Sequence, residues 1–158
     1  MRRRPICIAG SATKTIKVQS ITLSGSAGTT LSLPVTVLRR TSLDTAGTAA
    51  STTANPANTI SKRDVGAPTA TATLISYTAN PTINDTSPTY IDSAQLAVSL
   101  TTMATVSIPV RFDWSKDIEN FLQPPTITQG VTGQICVNLN ATSLASGLLT
   151  GSITWTEE

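Results

Sequence analysis

Residues 104–114 read ATVSIPVRFDW. Val106, Ile108, Val110, Phe112 and Trp114 share one parity, while Thr105, Ser107, Pro109, Arg111 and Asp113 take the other. Strict period-2 alternation of this kind predicts a half-buried antiparallel strand with one wet face. It places Ile108, Val110, Phe112 and Trp114 in a core. Pro109 has no amide hydrogen to give to a ladder, so the strand should lie at an edge or bulge there.

The same pattern recurs outward from this stretch. Leu31, Leu33, Val35 and Val37 alternate with Ser32, Pro34 and Thr36, and Pro34 raises the edge question again. In 16–23 the phase changes: Ile16 and Val18 hold one parity, Ile21 and Leu23 the other. A phase switch at Ser20 predicts a β-bulge. Residues 71–78, 94–100, 134–140 and 148–156 are further strand candidates, and Ile153 and Trp155 continue the apolar parity of Leu149. With RPICI (4–8) near the start the count is about eight strands. Thr, β-branched and stiff at χ1, is the commonest residue. The expectation is an all-β antiparallel sandwich or barrel with long surface loops. One stretch, 115–123, has Ile118, Phe121 and Leu122 at helical spacing and then meets Pro124-Pro125.

At 158 residues the chain fits one domain large enough to bury a core unaided. Residues 15–158 are expected to form a single sandwich, with 1–14 a basic arm or first strand. Residues 41–68 are small and polar, with few large apolar groups, and read as a long loop or an arm ordered on a partner. Net charge is +2 and only 13% of residues are charged. With 4% aromatics this argues against nucleic acid as a partner. No apolar run approaches the ~18 residues of a membrane span. The N-terminal PICIAG is too short for a signal-peptide apolar region, so the expected site of synthesis is the cytoplasm, without export. Under that expectation Cys7 and Cys136 read as small buried hydrophobes, a disulfide between them being disfavoured in a reducing compartment.

The chain contains no histidine. That removes Ser-His-Asp and Cys-His activation and the commonest zinc ligand. Two cysteines 129 positions apart form no metal-ligand spacing. The GSATKT of 10–15 lacks the second Gly of a phosphate loop. Asp113, Asp117 and Glu119 lie close together, as a glycosidase pair would require, but Asp113 beside Arg111 reads as a solvated ion pair. Asp85 and Asp92 have no EF-hand spacing. Trp114 and Trp155 sit on apolar parities and read as core rather than as sugar-stacking platforms, and Glu157 and Glu158 as solvated. The residue reading therefore gives no catalytic, cofactor or metal residues and no small-molecule substrate. The core positions are Ile108, Val110, Phe112, Trp114, Ile153 and Trp155.

Four stretches carry a resemblance: 16–42 (IKVQSITLSGSAGTTLSLPVTVLRRTS), 69–82 (TATATLISYTANPT), 104–114, and 135–158 (ICVNLNATSLASGLLTGSITWTEE). In this order they resemble small structural proteins of tailed-bacteriophage virions, of the capsid decoration or cement type. The resemblance touches most of 15–158. It implies a β-sandwich of jelly-roll type on the outer capsid surface, binding the major capsid protein and self-associating as a homotrimer, with no enzymatic activity and no cofactor. Arg2, Arg3, Arg4, Arg39, Arg40, Lys62 and Arg63 are then the expected capsid or subunit contacts. A tail, head-fibre or portal-vertex component and a carbohydrate-binding adhesin module are the alternatives.

Overall fold

The structure, a computed structural model, describes residues 6–28, 31–45, 49–51, 60–77, 88–100, 108–115, 123–139 and 148–158. These form an all-β sandwich of ten strands. The strands are β1 (Ile6–Ala9), β2 (Ile16–Ala27), β3 (Leu31–Arg40), β4 (Ala49–Ser51) and β5 (Thr73–Tyr77), followed by β6 (Thr89–Leu100), β7 (Val110–Asp113), β8 (Thr126–Ile127), β9 (Gln134–Asn138) and β10 (Leu148–Glu157). Among the described residues no helix is long and apolar enough to cross a membrane. Most of the helix candidate, 116–122, lies outside the described residues.

The larger sheet runs β4-β5-β1-β9-β3-β6, antiparallel at each step. The second sheet is built on β2. One side of β2 pairs antiparallel with β10 over nearly its whole length. The other side changes partner along the strand, to β8 at Ile16–Lys17, β7 at Ser20–Leu23 and the end of β6 at Ser26–Ala27. That short parallel contact with β6 joins the two sheets at a corner. Pairing is nested, early with late: β2 with β10, and β3 with β9. In this sense the sandwich is jelly-roll-like.

The phase switch in β2 is a bulge. Thr154 pairs with Ser20 and Trp155 with Val18, so Gln19 has no opposite residue. Its carbonyl instead accepts from the Trp114 amide at 2.8 Å, and the Val18 amide donates to the Pro125 carbonyl at 2.9 Å. The extra residue returns Ile21 and Leu23 to the face already occupied by Ile16 and Val18, and all four are buried. Together with Ile8, Leu33, Val35, Val37, Leu96, Val98, Ile135 and Val137 they form the core between the sheets. Phe112 and Trp114 complete it, their rings stacked with centroids 6.0 Å apart. Val110, Ile153 and Trp155 are half-buried and pack against it.

Ile108 departs from its expected place: it is 69% exposed. Its parity is right, but β7 begins only at Val110. Pro109 stands immediately before the ladder, where a missing amide hydrogen costs nothing, and no described pairing holds Ile108 inward. Pro34 pairs with β6 opposite Gln95, while the described β9 ladder begins at Thr36. The residue without a donor thus sits where β3 has one described neighbour.

The centre of the larger sheet also breaks the one-wet-face pattern. Cys7, Ile8 and Ala9 are all buried, as are residues 134–137 of β9. On the outer face Thr36, Leu38 and Arg40 are buried too. The chain leaving β3 turns back across this face and brings Asp44 against Arg40 in an ion pair whose side chains are 3% and 0% exposed. Beneath it the register sets Cys7 opposite Cys136, and the two are joined by a disulfide. This corrects the reading of two independent thiols. Strand pairing, not sequence distance, decides which sulfurs meet. Within the expected long loop, Ala49–Ser51 adds an edge strand to β5, and Ile6–Ala9 of the N-terminal segment is a strand of the sheet interior.

Candidate binding groove

Glu157 builds a groove on the β10 side of the sandwich. It lies on the same face of β10 as Ile153 and Trp155. Its carboxylate accepts the Thr71 amide at 3.0 and 2.8 Å, the Thr71 hydroxyl at 2.8 Å, the Ala72 amide at 3.0 Å and the Trp155 indole N–H at 3.0 Å. Burial alone would raise this carboxyl. The indole, amide and hydroxyl donors outweigh it and hold the group below the ordinary range. The latch ties the segment before β5 to the end of β10. Glu157 is therefore not the solvated acid expected from the sequence. Glu158 is fixed as well: its backbone exchanges two hydrogen bonds with Thr15, and Lys17 Nζ lies 2.6 Å from its carboxylate.

Upstream of the latch, a turn over 64–67 shapes the opposite wall. The Ala67 amide donates to the Asp64 carbonyl, the Gly66 amide to Asp64 Oδ1, and Lys62 Nζ to the Ala67 carbonyl. Between this wall and β10 lies a groove of about 620 Å³. Ile153 and Trp155 give it apolar floor. Lys14, Lys62, Arg63 and Arg111 supply four cations, against Asp64 and Glu157. Both acids are already engaged by backbone amides. Arg111 pairs with Asp113 at 2.9 Å. Among the described residues Lys14 and Arg63 make no ion pair, so the groove presents uncompensated positive charge beside an aromatic ring.

The expected contact residues separate. Lys62 and Arg63 line this groove. Arg39 is exposed on β3. Arg40 is buried against Asp44 and has no surface to offer a partner, which corrects its reading as a contact. Arg2, Arg3 and Arg4 lie outside the described residues. Asp113 accepts from the Ser115 hydroxyl and amide, which with Arg111 hold it below the ordinary carboxylate range. An acid kept ionised next to a guanidinium is a poor proton donor for glycoside cleavage. Asp85, Asp117 and Glu119 are outside the described residues, and Asp92 is exposed, bonded to the Ser93 amide.

A smaller hollow of about 180 Å³ lies beside Gly10–Ala12 and Val131–Gly133. Its walls are drawn together by backbone bonds from Gly10 to Gly133 and from Gly130 to Ser11. No helix follows the GSATKT stretch, so no dipole points into the hollow and a phosphate cradle is not formed.

No local pattern marks Glu157 or the wall at 60–70, because the bonds that join Glu157 to Thr71 and Ala72 span 86 and 85 positions. No family model matches the chain, and neither a curated protein nor a solved structure matches it.

Proposed function

We propose that this protein is a bacteriophage capsid decoration (cement) protein, which binds the outer shell through the β10 groove and stabilises it without catalysis. The carrying observation is the groove itself: Lys14 and Arg63, without an ion pair among the described residues, line it with Trp155, whose strand β10 lies within one of the four stretches that resemble virion proteins. An extended acidic segment of a shell subunit complements that surface, with an apolar side chain set against the indole. A ligand that binds the assembled shell and not its dispersed subunits stabilises the shell by mass action. Among the described residues the outer edges of β4 and β10 have no strand partner, which supports pairing with a second copy in a homotrimer.

The test is cosedimentation with purified shells lacking the protein. Saturable binding at a regular copy number, lost in the Lys14→Glu/Arg63→Glu variant, supports the reading, as do trimers in light scattering. A tail-only position in virion images, or unchanged binding by the variant, defeats it. Trp155 is half-buried and lines the groove, which favours one second reading, a carbohydrate-binding module. Glycan-dependent change in Trp155 fluorescence, absent with shell protein, would select it.

A further inference from the structure

The outer face of the β1–β9–β3 sheet carries chemistry that the groove does not use. Cys7 and Cys136 face each other across β1 and β9. Gln134 lies two positions from Cys136 on the same face of β9, opposite Arg40. Asp44 reaches over them, with a carboxylate oxygen within 4.8 Å of both sulfurs. All of these side chains are buried. One Asp44 oxygen takes the Arg40 guanidinium. Among the described residues the other, Oδ1, has no hydrogen-bond partner, and neither has Oε1 or Nε2 of Gln134. Folded proteins rarely leave buried polar atoms unpaired, and those left so call for an ion, a water or a reactive role.

We propose that, once the Cys7–Cys136 disulfide is reduced, this pocket binds one zinc-type divalent cation through the two sulfurs and Asp44 Oδ1. The charges favour it. Two thiolates and one carboxylate, offset by one guanidinium, leave two negative charges for a divalent ion to neutralise. Thiolates select zinc over magnesium or calcium. Gln134 Oε1 offers a fourth donor atom on the same face. The oxidised pocket has no thiolate to give, so disulfide and cation exclude each other. The chemistry balances. A phosphine with water, or a dithiol, breaks the S–S bond and delivers two electrons and two protons to the sulfurs. The phosphine leaves as its oxide, or the dithiol as its own disulfide. Metal binding then forms two S–metal bonds and releases the two protons.

The test uses the full chain, reduced with a phosphine under argon, given one equivalent of Zn²⁺, gel-filtered and assayed for metal. Co²⁺ serves as a parallel probe through its thiolate charge-transfer band. The expected result is one zinc per reduced chain, none per oxidised chain, and a cobalt band only after reduction. Asp44→Asn should weaken zinc binding by at least about tenfold while keeping that band. Circular dichroism reports folding throughout. If the reduced chain unfolds and zinc restores its spectrum, the site is supported. A reduced chain, folded or not, that neither retains zinc nor responds to it overturns the proposal. Equal zinc retention by the Cys7→Ser/Cys136→Ser variant overturns it too, and unchanged affinity in Asp44→Asn removes Asp44 as a ligand.

Discussion

The Glu157 carboxylate gathers the Thr71 amide and hydroxyl, the Ala72 amide and the Trp155 indole, and Glu157→Ala removes these bonds all at once. Thr71 is exposed, so water replaces its lost partner at little cost. The Ala72 amide and the Trp155 indole N–H are part-buried. Bonds to an ionised acceptor contribute about 1.5–3 kcal/mol each when well shielded, and less near solvent. Taking the lower end for these two donors gives a loss of about 2–3 kcal/mol. For a chain of this size that corresponds to a fall in melting midpoint of about 4–12 °C. The pH dependence has a fixed sign. The folded carboxyl titrates below its ordinary value. Its contribution is therefore complete above the unfolded value of about 4.3 and disappears as pH falls through the lower folded value. Urea unfolding followed by tryptophan fluorescence at pH 7 and at pH 3 measures both effects. The gap between wild type and Glu157→Ala should be full at pH 7 and should narrow at pH 3. A variant within about 0.5 kcal/mol of wild type at pH 7, the scatter of ordinary surface changes, would refute the latch. A gap that does not narrow with acid would refute its ionic character.

Three further outcomes follow from particular contacts. Arg40→Ala leaves Asp44 buried and uncompensated, and chemical denaturation should show a loss of about 3–5 kcal/mol. Phe112→Ala should cost about 3–5 kcal/mol in thermal melts, whereas Ile108→Ala, on the same sequence parity, should stay within about 0.5 kcal/mol. Replacing both cysteines by alanine opens a loop of 129 residues. Chain-entropy reasoning puts the loss at about 4–5 kcal/mol, read as a lower denaturant midpoint against the oxidised wild type.

The strands were legible where alternation is long and neighbouring pairing supports it. In β2 the switch from Ile16 and Val18 to Ile21 and Leu23 located the bulge to within one residue of Gln19. Parity failed at Ile108 because alternation records which way a side chain would point in a ladder, not whether the ladder reaches it. Arg39 and Arg40 read as one basic pair. On a strand they must point to opposite faces, and Asp44 four positions on was the available sign that one of them is buried. The disulfide and the Glu157 latch were out of reach for a different reason. Cys7 meets Cys136, and Ala72 meets Glu157, only through the register of strands far apart in sequence. No local pattern encodes register between distant strands.

The changing partners of β2 have a consequence for how the chain is made. Residues 16–26 wait for residues 148–157 to close one flank, and their other flank is assembled from β8, β7 and β6. During synthesis this long apolar strand therefore leaves the ribosome more than a hundred residues before β10 and is fully paired only after β10 follows. Such non-local pairing slows folding, and an open flank recruits other chains. Nascent chains halted before residue 148 should accumulate as soluble species only while a chaperone holds that flank covered.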